Sequence, residues 1–325
     1  MEPDREKMVE LLHFDGRRYF NPAAPAYGFR VWRVLNWMVR RRPQRWPKWI
    51  DDPIQPEPPA TLQSHEIAAT FVGQSTFLLQ LDGVNVLTDP IWSERASPLR
   101  WAGPRRVRRP GLDFERLPPI HLVLVSHNHY DHMELTTLRR LRQRFDPLFV
   151  TGLGNRRYLH KRGIARVEEL DWWQTCPAPG GLTVTMTPAQ HFSRRGLFDR
   201  LRTLWGGFAL TAEAKRVFFT GDSAYGAHFK EISRRLPGID LALLPIGAYE
   251  PRWLMQAAHM NPEEAVRAHL DLTPRLSLGM HFGTFQLTDE AIDAPIEELT
   301  QSLHQHGIAE SEFRVPGFGE TIVVG

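Results

Sequence analysis

Cysteine is nearly absent. Cys176 is the only one in 325 residues, so no intramolecular disulfide can form. A reducing compartment fits, and the expected location is cytoplasmic. Long apolar runs are missing too. None approaches the ~20 residues needed to span a bilayer. The opening "MEPDREKMVE" mixes charges and has no apolar core, unlike a secretory signal. Excess charge of one sign is also lacking. The formal net charge is +3, and residues 1–60, with 11 Lys and Arg against 8 Asp and Glu, hold all of it. A nucleic-acid partner would need a broad basic face, so none is expected. A hydrophobic content of 42% and a charged content of 24% are ordinary for a globular chain.

What is present divides the chain in two. Residues 1–60 are expected to be a basic, aromatic helix followed by a Pro-rich strap, and residues 61–325 a folded body. The stretch "GFRVWRVLNWMVRRRPQRWPKW" (28–49) has seven basic residues and no acidic one. Val31, Val34, Leu35 and Met38 share one helical face, widened by Trp32 and Val39. Arg30, Arg33, Arg40 and Arg41 lie opposite. Such a helix either packs on its own protein or lies in a lipid interface, peripheral on the inner face of a membrane. Six prolines between Pro43 and Pro59 then favour an extended chain.

From about residue 66 short apolar strands alternate with amphipathic helices, the pattern of a layered α/β domain. "IAATFVG", "STFLLQLDGVNVLTD", "PIHLVLVSH", "LTVTMTP", "GGFALTA", "RVFFTGD", "DLALLPIG" and "LSLGMHFG" read as strands, with Asp82-Gly83 as a hairpin turn. "MELTTLRRLRQRF", "AYGAHFKEISRRL" and "NPEEAVRAHLDL" read as helices.

The polar residues fall at one kind of place on this map. Asp89, the run His127-Asn128-His129-Tyr130-Asp131-His132, His191, Asp222 and His281 each follow the carboxyl end of an apolar strand. Ligands bind at that edge in open α/β sheets. Imidazole and carboxylate are ligands of Zn²⁺ and its neighbours. His127 and His129 suit one ion, and Asp131 and His132 a second. His191 and His281 are placed to complete the two sets, and Asp222 to bridge them or to cap the next helix. Two metals roughly 3.5–4 Å apart can activate a hydroxide for in-line displacement. Asp89 suits either the orientation of a ligand imidazole or a simple turn. His13, His65, His160, His228, His304 and His306 are expected to be ordinary surface or core residues, and His121 a satisfied core residue.

"HNHYDH" resembles the HxHxDH motif of the metallo-β-lactamase superfamily. "LTDPIWSERASP", "GPRRVRRPG", "ELDWW", "PIGAYEPRW", "HMNPEEAVRAH" and "HFGTF" are similar to the N-acylphosphatidylethanolamine-hydrolysing phospholipase D family and its bacterial relatives. The early "FNP" is weakly similar. The resemblance implies an αβ/βα four-layer sandwich with two Zn²⁺ per chain, and Mn²⁺ or Fe²⁺ as alternatives. It implies His127, His129 and His191 as ligands of one metal, Asp131, His132 and His281 as ligands of the other, and Asp222 as the bridge. It implies hydrolysis of an N-acylated phospholipid to N-acylethanolamine and phosphatidic acid. Asp131 and Asp222 would hold the nucleophile, His259 would approach the substrate, and Tyr130 and Arg194 would bind it. The Gln-His pair of the family's vertebrate enzymes is Ala258-His259 here, and the family's Trp and Lys after the third histidine are Phe192 and Arg194. Arg105, Arg106, Arg108 and Arg109 are expected to be a solvated loop, or else a headgroup site. A homodimer is left open. The alternatives are a same-fold hydrolase of a soluble lactone or phosphodiester, and a metal- or lipid-binding protein without turnover.

Overall fold

Strand β4 (Leu122–Val125) reads LVLV, and its alternate side chains enter different cores. Leu122 and Leu124 join one buried cluster, Val123 and Val125 another. A strand covered on both faces has no polar side, hence the unbroken apolar run. The computed structural model describes residues 13–22, 36–37, 39–99, 101–213 and 215–325.

Two mixed seven-stranded sheets form the body. The first combines β4 with β1 (Ile67–Gly73), β2 (Thr76–Leu81), β3 (Val84–Thr88), β5 (Leu148–Gly152), β6 (Val167–Leu170) and β14 (Thr321–Val324), in the order β14-β1-β2-β3-β4-β5-β6. The second holds β7 (Thr175–Pro177), β8 (Thr183–Thr187), β9 (Gly207–Ala212), β10 (Lys215–Phe219), β11 (Leu241–Pro245), β12 (Leu276–Met280) and β13 (Phe313–Arg314), in the order β13-β12-β11-β10-β9-β8-β7. Strands β3 to β6 run parallel, as do β10 to β13. The Asp82-Gly83 turn pairs Leu81 with Val84, and both turn residues have positive φ (49° and 74°). That is the two-residue hairpin geometry that favours Asp-Gly.

Helices cover the outer faces. Helix α1 (Leu135–Phe145) buries Leu138 and Leu141 against Val123, Val125 and Phe149, and Glu134 caps it by accepting from the Thr136 and Thr137 amides. On the second sheet, α3 (His228–Arg235), α5 (Pro262–Leu272) and α6 (Ala294–His306) bury Phe229, Ile232, Val266 and Leu299 in the larger core. Helices α2 (Arg156–His160) and α4 (Arg252–Met255) are short. The result is the expected αβ/βα sandwich.

Val31, Val34, Leu35 and Met38, which define the basic amphipathic helix, lie outside the described residues. The described parts of the first sixty residues rest on the body. Tyr19 enters the main core, Trp37 Nε1 donates to Asp289 (2.6 Å) and Trp46 Nε1 to the Glu290 carbonyl (2.9 Å). Residues 41–66 have neither helix nor strand, as their prolines favour.

Candidate metal centre

The carboxyl ends of β3, β4, β10 and β12, with the loops after β8 and β11, converge on one point. Asp89 and His281 leave their strands with positive φ (33° and 61°), which is uncommon for a side-chain-bearing residue and typical of strained functional turns. Gly221 (φ 63°) precedes Asp222, and a Cβ there would lie 2.6 Å from the Ser126 Cβ. Only glycine lets the β10 loop approach the β4 loop so closely.

Seven side chains meet at this point in two groups. His127 Nε2 lies 2.8 Å from His129 Nδ1, which is 3.3 Å from His191 Nε2. Beside this triad, Asp131, His132, Asp222 and His281 form a buried quartet. Asp222 Oδ2 sits 3.1 Å from His132 Nε2 and 3.2 Å from His281 Nε2, and also 3.9 Å from His127 Nε2 and 3.8 Å from His191 Nε2. Asp131 Oδ2 is 3.2 Å from His132 Nε2 and 3.3 Å from His281 Nε2. Asp222 therefore faces both groups. The N-cap of α3 is Ala227, so Asp222 does not cap that helix.

The donor set fits a cation. His132 Nε2, His281 Nε2 and Asp222 Oδ1 are buried without a hydrogen-bond partner among the described residues. Nitrogen and oxygen atoms that converge without bonding one another leave buried polar groups whose cost is removed by a shared ion. The cluster is able to bind metal. Its mixed imidazole and carboxylate donors suit zinc, manganese and iron alike.

Electrostatics separate the two groups. Burial, with neighbouring imidazoles, pushes His129 down to about 3 and His127 well below its usual range. Burial likewise lowers His191 to about 4. These rings are neutral, the form that ligates. Burial also opposes charge on His132 and His281, but Asp222 and Asp131 outweigh it, raising His281 to about 9 and His132 well above its usual value. The same imidazoles hold the Asp131 and Asp222 carboxyls low against the effect of burial.

A second tier of contacts fixes the rings. Asp89 Oδ2 lies 2.6 Å from His132 Nδ1 and accepts from Ser126 Oγ (2.5 Å), while its Oδ1 accepts from the Ser126 amide (2.7 Å). Ser126 Oγ in turn meets His127 Nδ1 at 2.9 Å. His191 Nδ1 lies 2.9 Å from the Ala258 carbonyl, and Gln74 Nε2 donates to Asp131 Oδ2 (3.0 Å). Asp89 thus orients an imidazole rather than only making a turn. Ser126 and Gln74 escaped the sequence reading. Ser126 at least adjoins the motif, whereas Gln74 sits in the β1–β2 turn without any local signal.

A cleft of about 650 Å³ opens onto the cluster. His129, Asp131, His191, Asp222 and His259 form its polar floor, and Phe20, Trp37, Phe192, Leu254 and Met255 are among its apolar walls. His259 Nδ1 is 3.9 Å from Asp222 Oδ2 and has no hydrogen-bond partner among the described residues. Tyr130 and Arg194 are not among the lining residues. The Tyr130 hydroxyl donates to the Arg195 carbonyl (2.9 Å), and the Arg195 guanidinium stacks on the Tyr130 ring at 4.1 Å. Asp199 Oδ1 accepts from the Arg195 and Gly196 amides, and this turn leaves Arg194 exposed, its Nε donating to the Gly196 carbonyl. The arginine that lines the cleft is Arg200.

Of the 105–109 arginines, Arg105 and Arg109 are exposed, as expected of a solvated loop, whereas Arg106 and Arg108 are packed into the body. Arg106 is buried and donates to the Ser93 and Ile91 carbonyls, and Arg108 pairs with Asp52 and stacks on Phe318. Arg105 and Arg109 face Glu94 and Asp51. His13 meets Asp171 at 2.7 Å, and His121 Nδ1 accepts from the Asn85 amide (3.0 Å).

Comparison with known proteins agrees with this fold and cluster. A β-lactamase superfamily domain matches residues 84–282. N-acyl-phosphatidylethanolamine-hydrolyzing phospholipase D 1 of Caenorhabditis elegans is 37% identical over 264 residues, 78% of this chain and 74% of that protein. The mitochondrial N-acyl-phosphatidylethanolamine-hydrolyzing phospholipase D of Saccharomyces cerevisiae is 34% identical over 258 residues, 78% of this chain but 55% of that protein. Among solved structures, Igni18, a metallo hydrolase from Ignicoccus hospitalis, superposes with a TM-score of 0.60 at 24% identity, over 80% of this chain and 99% of its own. The chain belongs to the metallo-β-lactamase superfamily and, within it, to the family of N-acyl-phosphatidylethanolamine-hydrolyzing phospholipase D. It is a metal-dependent hydrolase.

Proposed function

We propose that this protein hydrolyses the phosphodiester of N-acylated ethanolamine phospholipids, releasing N-acylethanolamine and phosphatidic acid. The observation that carries this reading is one cleft with two kinds of wall. Its floor is the His/Asp cluster, suited to a phosphoryl group held by cations, and its sides are apolar, suited to an acyl chain. The two relatives named for this reaction support it.

In this reading His127, His129 and His191 hold one ion, Asp131, His132 and His281 hold a second, and Asp222 serves both. Two metals bound there supply a water-derived nucleophile at neutral pH and polarise a phosphoryl oxygen. The chain's residues do the rest. Asp89 and Ser126 fix two imidazoles, and Gln74 orients the Asp131 carboxylate. His259, neutral because burial lowers it well below its usual value, faces the reacting phosphate or the leaving oxygen. Zinc is the metal we assign. The substrate resides in a bilayer, and the loop that supplies Phe192 and Arg200 to the cleft also carries Leu197 and Phe198, 79% and 87% exposed. No helix among the described residues is long and apolar enough to cross a membrane. A peripheral contact made by this loop, with the basic segment 28–49, fits these features.

The test is incubation of the metal-loaded protein with N-acylphosphatidylethanolamine, read by mass spectrometry beside Asp131→Asn and His281→Ala. Metal-dependent N-acylethanolamine that both substitutions abolish is expected. Its absence from protein carrying two metals would overturn the lipid substrate and point to a soluble ester or phosphodiester.

A further inference from the structure

The turn Phe20-Asn21-Pro22 is far in sequence from the cluster but lines the cleft beside His191. Asn21 uses both ends of its amide there. Nδ2 donates to the His191 carbonyl (2.8 Å), and Oδ1 accepts from Trp205 Nε1 (3.2 Å), which also donates to the Ala189 carbonyl (2.9 Å). The Trp205 carbonyl accepts from Trp172 Nε1 (2.7 Å). The Trp172 ring stacks on His13 at 4.5 Å, and His13 is bound to Asp171. The Tyr19 amide donates to the Leu201 carbonyl (2.8 Å), on the far side of the same loop. Residues 13–22 are thus clasped at His13 and Tyr19, and two residues past Tyr19 Asn21 grips the backbone of the residue whose ring joins the triad.

The grip is directional. His191 follows β8 by four residues, in a stretch without strand pairing beyond one isolated bridge from Gln190 to Ala224. Its ring is fixed at Nδ1 by the Ala258 carbonyl. Its backbone carbonyl needs a donor, and Asn21 supplies it. We propose that Asn21 is a positioning residue for the metal centre: its Nδ2 donor sets the backbone of His191, so the segment 13–22 is a working part of the cleft. This rests on the reading of His191 as a metal ligand.

The test uses the full chain loaded with Co²⁺, with two readouts: the visible d–d spectrum and the rate at which a chelator removes each ion. Asn21→Ala removes both bonds. Asn21→Asp keeps the volume and the acceptor for Trp205, and replaces the donor by a charged carboxylate oxygen that faces the His191 carbonyl. Asp171→Asn is the control, since it loosens the same segment at its far end. Both Asn21 variants are expected to release one of the two ions about 10-fold faster, the range typical for outer-shell partners, with an altered spectrum. Asp171→Asn is expected to lower the melting temperature while keeping the wild-type spectrum and release. A folded Asn21→Asp with wild-type release and spectrum would overturn the proposal, as would equal acceleration by Asp171→Asn. His191→Ala in the same assay separates the two readings. If it too releases both ions at the wild-type rate, the ligand assignment fails rather than the positioning role.

Discussion

Asp89 Oδ2 lies 2.6 Å from His132 Nδ1, and neither side chain is reached by solvent. The contact turns the other ring nitrogen, Nε2, toward Asp131 and Asp222. Asp89 is not in the histidine motif, yet through Ser126 it also reaches His127, so one carboxylate orients a ring in each group.

Replacing that carboxylate should therefore disturb metal binding at both groups. Asp89→Asn is expected to weaken metal affinity by about 10- to 100-fold, most strongly at the Asp131–His132–Asp222–His281 group. Metal titration against a chromogenic chelator measures it. Wild-type affinity in the variant would show that His132 orients itself.

If His259 acts on the reacting atoms, as proposed, its substitution should separate reaction from metal binding. His259→Gln is expected to keep both metals while kcat falls about 10²-fold or more, as for loss of a group that acts on the reacting atoms. Metal analysis beside steady-state kinetics checks this. Loss of an ion would make His259 a ligand instead.

The apolar wall should set the chain preference. Leu254→Trp fills cleft volume beside Met255 and is expected to reduce kcat/KM for long N-acyl chains at least about tenfold relative to short ones. A series of substrates graded in acyl length measures it. An equal loss at all lengths would place the acyl chain elsewhere.

His269 gives a pH prediction remote from the cluster. It is buried on α5 with Nδ1 2.9 Å from Ser277 Oγ, and burial lowers it from the ordinary 6.5. Below pH 6.5 the unfolded chain takes a proton that the folded protein resists, so this residue costs stability as pH falls from that point and contributes nothing above it. His269→Gln is expected to remove this part of the acid slope, at most about 1.4 kcal/mol per pH unit. Urea denaturation at neutral and mildly acidic pH reads it, and unchanged slopes would contradict it.

Much of this was legible in the sequence because the body's strands are buried on both faces. β1 to β4, β8 to β12, and helices α1, α3 and α5 announce themselves as apolar runs or amphipathic periods. β6 (VEEL) does not, since its centre holds two glutamates at a sheet edge. β14 is legible only through its pairing of Ile67 with Val324 across the whole chain. α6 begins at Ala294-Pro295 and mixes Gln, Ser and Thr into its faces, so its period is weak. The histidines and aspartates stood out because each follows a strand. Gln74, Ser126 and Asn21 did not, because their roles lie in hydrogen bonds between distant segments. Arg194 lies off the cleft and Arg200 on it for a related reason: the Asp199 turn stands between them.

The central claim is that the cluster directs water onto phosphorus. Hydrolysis of N-acylphosphatidylethanolamine in H₂¹⁸O tests it most directly. The account predicts ¹⁸O in the phosphatidic acid and none in the N-acylethanolamine. Label in the N-acylethanolamine would mean cleavage at carbon, and would contradict it.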